Sequence, residues 1–498
     1  MLGLDPEAGF LEIPGGDYVA DGFARTSPNH RLFYTFHPSL LGAEAPLALF
    51  FNGGPGSSTS TLMGGSTAPV TLDPYVTGEE VSAPNPLSWD RAMHTLHLDA
   101  PGTGFSYVLP LSDGRTPRVG IDIDRDAAIV VRFLLGFLRR HPELLCNEIV
   151  LVGESYGGTR ATLMLQHVLH PERLKETSSI YFDPDLAQLI AEHEQSTAVC
   201  NNAQGPLALV QQFDAQILIQ PVLMGNVQWN FNSPDSSVCR AGSYDAYQCD
   251  RAPGYTDVFW NAVVARLTTM STLDIFLGVD PRTVNWFFAE QRTQAYGRLP
   301  ADALPSTDLQ DTFGLLNSTD TYHIDYNPLA GQRYSASPPE LFNEPARHWT
   351  DPRLGPQFLE NLRTVKTLVT NAQFDMVVES MALVFGIASS TATIQQVTVV
   401  QDLTTARPGW YRVSYLDGHQ VFLRMPVYQA AGHAVTLTSS GELFDDAVAF
   451  LESPEPPPPL AASQVLFPTA AARLTSPQGK ASATLDAVSL TRPLAPGP

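Results

Sequence analysis

The stretch Ile149-Val150-Leu151-Val152-Gly153-Glu154-Ser155-Tyr156-Gly157-Gly158 constrains the fold of this chain more than any other. An aliphatic run reads as a buried strand, and it ends abruptly in Gly-x-Ser-x-Gly. From Thr159 to Leu169 the residues are good helix formers with no Gly or Pro. A strand that passes straight into a helix through such a turn forces the serine into a strained backbone conformation. Gly153 and Gly157 keep the turn free of side chains, because a Cβ at either position would crowd the elbow or its neighbouring strand. The tripartite motif alone arises by coincidence in roughly one chain in six of this size. Its weight therefore comes from the strand before it and the helix after it. Ser155 is a candidate nucleophile, presented at the end of a sheet above a helix N-terminus.

The rest of the chain supplies a sheet for that elbow. Gly9 to Ile13 and Leu32 to Phe36 read as short strands flanking a Gly/Asp turn. Pro46 to Phe51 and Thr95 to Leu98 are further strands, each ending in a Gly-rich loop. Ile123 to Arg140 has helical period. Strand character returns at Gln216 to Met224, Val365 to Thr370 and Gln395 to Val400, and Trp410 to Leu416 pairs with Val421 to Val427 across Asp417-Gly418. Leu443 to Leu451 reads as a terminal helix. Alternating strands and helices imply an α/β class with a central, mostly parallel mixed sheet flanked by helices. The pattern breaks over 227–348, which is polar, aromatic and irregular. The expected organisation is a core in two parts, 1–226 and 349–452, with a helical lid inserted at 227–348 and a Pro/Ala-rich tail at 453–498.

With 498 residues and a formal net charge of -22, the chain is large enough for one sizeable core and repels nucleic acid and anionic membrane surfaces. No run of about 18 apolar residues exists, so no membrane span is expected. The N-terminal residues lack the basic start and apolar stretch of a signal peptide. The four cysteines fit no zinc pattern, and no metal or cofactor is expected. Cys239 and Cys249 are candidates for a disulfide, Cys200 is an alternative partner, and Cys146 reads as a buried free thiol.

A serine hydroxyl needs a base, normally a histidine oriented by a carboxylate. In α/β-hydrolases these follow the serine in the order acid, then histidine, in loops just beyond strands. Asp375 lies past the strand ending at Thr370, and His433 lies past the strand ending near Tyr428. A lone Asp or His in a loop is usually only solvated; the paired placement favours these two. His419 is the rival base, but it sits beside the Asp417-Gly418 turn at the far end of a hairpin. Asn52-Gly53-Gly54-Pro55-Gly56 directs backbone N–H groups into a site, as an oxyanion hole requires, together with the amide of Tyr156. Read alone, it is only a tight turn.

Taken together, these segments resemble the serine carboxypeptidase family of the α/β-hydrolase superfamily. The resemblance rests on Asn52-Gly53-Gly54-Pro55-Gly56, Asn85-Pro86-Leu87-Ser88-Trp89, Asp99 to Tyr107, Gly153 to Gly158 and Ala431-Gly432-His433. It implies an α/β-hydrolase fold with a lid, Ser155, His433 and Asp375 as nucleophile, base and orienting acid, and the amides of Gly54 and Tyr156 as oxyanion hole. It also implies that Asn52, Gly53 and Glu154 hold the terminal carboxylate of a peptide substrate, in a secreted or periplasmic setting. A glutamate facing a carboxylate repels it unless one of them is protonated, so acid pH is expected to favour peptide hydrolysis. The chain departs from the family at Ser57, where cysteine is frequent, and at Ser66, where a glutamate commonly partners the one before the serine. Ser66 offers Glu154 a hydrogen bond but cannot share a proton. An esterase or acyltransferase using the same three residues is the alternative.

Overall fold

The computed structural model describes residues 4–53, 59, 62–72, 82–103, 106–109, 122–200, 205–223, 239–240, 243–244, 353–372, 375, 378, 380–400, 407, 409–428, 431, 433–455 and 464–468. The expected lid at 227–348 lies outside them apart from the short antiparallel pair Cys239–Arg240 and Ser243–Tyr244.

The strands in chain order are β1 (Glu7–Ile13), β2 (Gly16–Ala20), β3 (Phe23–Ser27), β4 (His30–His37), β5 (Leu47–Phe51), β6 (His94–Leu98), β7 (Ile149–Glu154), β8 (Phe213–Ile219), β9 (Lys366–Val369), β10 (Ile394–Val400), β11 (Trp410–Tyr415), β12 (Gln420–Arg424) and β13 (Gln464–Pro468). The helices used below are α1 (Ile123–Arg140), α2 (Tyr156–Leu169), α3 (Pro184–Ser196), α4 (Leu354–Thr364) and α5 (Ser440–Glu452). The main sheet runs β1-β4-β6-β5-β7-β8-β9-β12-β11-β10-β13. Its centre, from β6 to β12, is parallel, and both flanks are antiparallel. The C-terminal ends of β5, β7, β8, β9 and β12 therefore open onto one edge, where an α/β sheet carries its chemistry.

Alternation along the central strands builds a core on each face. Leu47, Leu49, Phe51, Ile149 and Leu151 pack with α1 and α2, whereas Ala48, Phe50, Val150, Val152, Ile217 and Ile219 pack with Trp89 and Phe450. Helix α1 begins where Asp122 caps it by accepting from the Arg125 N–H at 2.8 Å. Asp124 and Asp126 lie in its first turn and Arg139 and Arg140 in its last, which suits the helix dipole.

The structure departs from expectation in four places. The region between β1 and β4 is not a simple turn: β2 and β3 form a hairpin closed by Asp21-Gly22, both at positive φ. The strand expected over Gln216 to Met224 ends at Ile219, because Gln220 turns left-handed at φ 46 and Pro221 follows. Cys146 is not a free thiol but is disulfide-bonded to Cys200, 54 residues on, with Cα atoms 5.3 Å apart. The segment after α3 returns beneath the start of β7, where Gln212 Nε2 donates to Leu145 O at 2.7 Å, and this brings Cys200 to Cys146. Within the Pro/Ala-rich tail, β13 pairs antiparallel with β10.

Candidate active site

Ser155 sits between β7 and α2 at φ 55 and ψ -120, a region L residues rarely occupy. Three backbone bonds hold it there. Its N–H donates to Ile219 O, and its carbonyl accepts from Gly158 N–H and Val222 N–H, all at 2.9 Å. The motif glycines are required for the reason the sequence suggests. A Cβ on Gly153 would stand 2.6 Å from Gly157 O, and one on Gly157 would stand 3.0 Å from Phe51 O.

Gly53, just after β5, lies against this elbow. A Cβ on Gly53 would lie 2.5 Å from Glu154 O, 2.5 Å from Tyr156 N and 2.7 Å from Ser155 Cβ. Gly53→Ala is therefore expected to push the loop off the elbow. A displacement of that size costs about 100-fold in kcat/KM, measured on an ester substrate with a melting curve alongside. Wild-type kcat/KM would show that the approach is not this close. Gly54 lies outside the described residues.

Asn52 is buried at the end of β5, and its Oδ1 accepts from the Gly53 N–H at 2.7 Å. Its carbonyl accepts from Arg160 Nη1 at 2.6 Å. Arg160, fully buried in α2, also donates from Nε to Asp126 Oδ2 at 2.8 Å and lies 5.2 Å from the Tyr156 ring centroid. The Tyr156 hydroxyl hydrogen-bonds Asp126 as well; burial first, then that carboxylate, push it well above the usual phenol value. The Tyr156 ring thus anchors the start of α2 in the core, and its amide remains at the elbow. Neither Asp126 nor Arg160 stands out in the sequence.

Asp375 and His433 meet on the same sheet edge. His433 Nδ1 and Asp375 Oδ2 are 2.8 Å apart, and both side chains are buried. Burial alone would push the imidazole pKa down. The charge and hydrogen bond of Asp375 and the charge of Glu154 outweigh it, and His433 ends above its ordinary value. Glu154, the buried neighbour of Ser155, is thus one of the charges that raise His433. His419 is exposed in the turn before β12, at the opposite end of that strand from His433. Two further donors fix Asp375: the Val378 N–H to Oδ1 at 3.0 Å and Gln220 Nε2 to Oδ2 at 2.6 Å. Sequence reasoning passed over Gln220. Ser66 is buried, but its Oγ makes no hydrogen bond among the described residues, so the expected bond to Glu154 is not formed.

Residues 16–184 match the family model described as serine carboxypeptidase. Over that segment the chain is similar to the serine carboxypeptidases. A serine carboxypeptidase-like protein of Arabidopsis thaliana, serine carboxypeptidase-like 48, is 30% identical over 151 residues, 30% of this chain and 28% of that protein. Serine carboxypeptidase 3 of Hordeum vulgare is 32% identical over 158 residues, 30% of this chain and 29% of that protein. The match thus spans less than a third of the length of these relatives. The structure of Kex1(delta)p, a prohormone-processing carboxypeptidase of Saccharomyces cerevisiae, superposes with TM-score 0.54 at 13% identity, covering 90% of this chain and 91% of that one. The chain has the α/β-hydrolase fold, with the mixed sheet and flanking helices expected from its sequence. Among the described residues no His, Cys, Asp and Glu cluster is arranged to hold a metal ion, and no helix is long and apolar enough to cross a membrane.

Proposed function

We propose that this protein is a serine-type carboxypeptidase, which removes C-terminal residues from peptides through an acyl-enzyme at Ser155. The observation that carries this reading is the buried Asp375–His433 pair, on the sheet edge where the Ser155 elbow stands. In this mechanism Asp375 holds the Nδ1–H of His433, which leaves Nε2 to take the Ser155 proton and return it to the leaving amine. The amides of Tyr156 and Gly54 stabilise the oxyanion. Asn52, Gly53 and Glu154 hold the substrate carboxylate.

The two halves of the mechanism respond oppositely to pH. Carboxylate binding needs a shared proton at Glu154 and weakens as pH rises. The base must be neutral, and its raised pKa makes turnover fall as pH falls. Free-acid peptides are therefore expected to be cleaved best at acid pH, and esters without a carboxylate at higher pH. Ser66 favours the second reading, an esterase or acyltransferase with the same three residues: it stands where a glutamate is common in the family, and its hydroxyl makes no hydrogen bond among the described residues.

One comparison separates the two: a blocked dipeptide with a free C-terminus, its amide, and a simple ester. Strong preference for the free acid supports the carboxypeptidase, and Glu154→Gln then weakens turnover of that substrate more than of the ester. Ester turnover with no peptide turnover at any pH from about 4 to about 8 would sink it.

A further inference from the structure

The geometry points to Gln220 as a positioning residue for the catalytic acid, locking Asp375 in the orientation that serves His433. This inference rests on the reading of Ser155, Asp375 and His433 proposed above.

Gln220 is fully buried and stands at φ 46, directly after β8. That backbone strain is held in place by a set of bonds around one side-chain amide. Nε2 donates to Asp375 Oδ2 at 2.6 Å. Oε1 accepts from the Ala372 N–H at 2.8 Å and from the Thr370 hydroxyl at 3.0 Å. The Gln220 N–H in turn donates to Thr370 Oγ1 at 2.8 Å. The two donors on Oε1 allow only one assignment of the amide, with Nε2 towards the carboxylate.

Asp375 Oδ2 is the oxygen that also faces His433 Nδ1. Gln220 therefore shares the working oxygen with the base and fixes the angle at which the carboxylate meets the imidazole. The strand end that carries it also backs the nucleophile, since Ile219 O and Val222 N–H are both bonded to Ser155. A single four-residue segment, 219–222, thus sets the distance between the serine elbow and the acid.

Gln220→Met keeps size and burial but removes donor and acceptor. With active sites counted by fluorophosphonate titration, kcat per site on an ester is expected to fall at least about tenfold with KM little changed. Gln220→Glu sets a second carboxyl against Asp375 Oδ2; a shared proton keeps that hydrogen bond at acid pH and is lost as pH rises, so kcat/KM on an ester is expected to fall on the alkaline side, relative to wild type. A structural role alone would lower the titratable fraction and leave both readouts alone. A per-site kcat within about twofold of wild type in Gln220→Met, or an alkaline side unchanged from wild type in Gln220→Glu, overturns the assignment. If Gln220→Met does not fold, Thr370→Val, which removes one of the two donors to Gln220 Oε1 and the acceptor of its N–H, must itself lower per-site kcat, and a wild-type value overturns the proposal. Wild-type and Ser155→Ala protein run in parallel: wild-type inactivity on every substrate removes the reading of the site, whereas an active wild type with an indifferent Gln220 removes only this inference.

Discussion

Ser155→Ala is expected to lower kcat/KM by about 10,000-fold or more on every substrate the wild type turns over, with the melting temperature nearly unchanged. The loss is large because no neighbouring group can replace the hydroxyl as nucleophile. In the proposed mechanism what remains is the stabilisation offered by the oxyanion amides. The fold is spared for a local reason: the elbow is held by backbone bonds to Ile219, Gly158 and Val222, none of which uses the serine side chain. Alanine at φ 55 bears a strain similar to that of serine, since both carry a Cβ and neither is β-branched. His433→Ala should lose nearly as much, and the double variant little more than either, because nucleophile and base act as one unit. The measurement is initial rate on ester and peptide together with labelling by a fluorophosphonate. Labelling that survives in Ser155→Ala would place the nucleophile elsewhere.

The parts of the site that could be read from the sequence are those whose signal is local. Ser155 announces itself because strand, glycine spacing and helix are contiguous. Asp375 and His433 follow from chain order and from the strands that precede them, and the structure places their side chains in contact. Gln220 could not be read this way. In the sequence it is one polar residue at the end of an apolar strand, and its role exists only once β8 and β9 lie side by side, with Thr370 N–H bonded to Leu218 O. The Cys146–Cys200 bond was hidden for a similar reason, since it depends on where the chain returns after α3. The β2–β3 hairpin is a different failure. Its Asp21-Gly22 turn signal is plain, but its strands carry exposed and polar residues that blur the alternation.

The second large effect concerns acid. His30, His37 and His167 are buried, and burial pushes each imidazole down to about 4. His97, packed beside His37, is also held well below its ordinary value, by burial first and then by that neighbour. These rings stay neutral in the folded protein at pH values where the unfolded chain takes up a proton. Between about 6.5 and about 4 the unfolded state binds more protons, so stability falls as pH falls and is fully present only above that window. Each of the three at about 4 forfeits up to about 3 kcal/mol by the bottom of the window. Together that is up to about 9 kcal/mol, of the order of the whole net stability of a typical domain. His141 works the other way: burial lowers it, but Glu7 and Glu143 outweigh burial and raise it, a smaller and half-exposed contribution. Urea unfolding at about pH 7 and about pH 5 is therefore expected to show a marked fall in midpoint. His37→Phe tests the cause, because His37 Nδ1 is buried without a partner and its removal sacrifices no hydrogen bond at that atom. The variant should lose close to one proton from the pH dependence of unfolding. An unchanged slope would clear His37 of responsibility. The consequence for function is a floor under the pH range: in the proposed mechanism acid favours carboxylate binding at Glu154, but the same acid favours the unfolded chain, whose histidines take up protons. Peptide hydrolysis is expected to fall abruptly on the acid side, with unfolding rather than with titration of His433, and rates measured after a brief acid pulse and return to neutral pH distinguish the two.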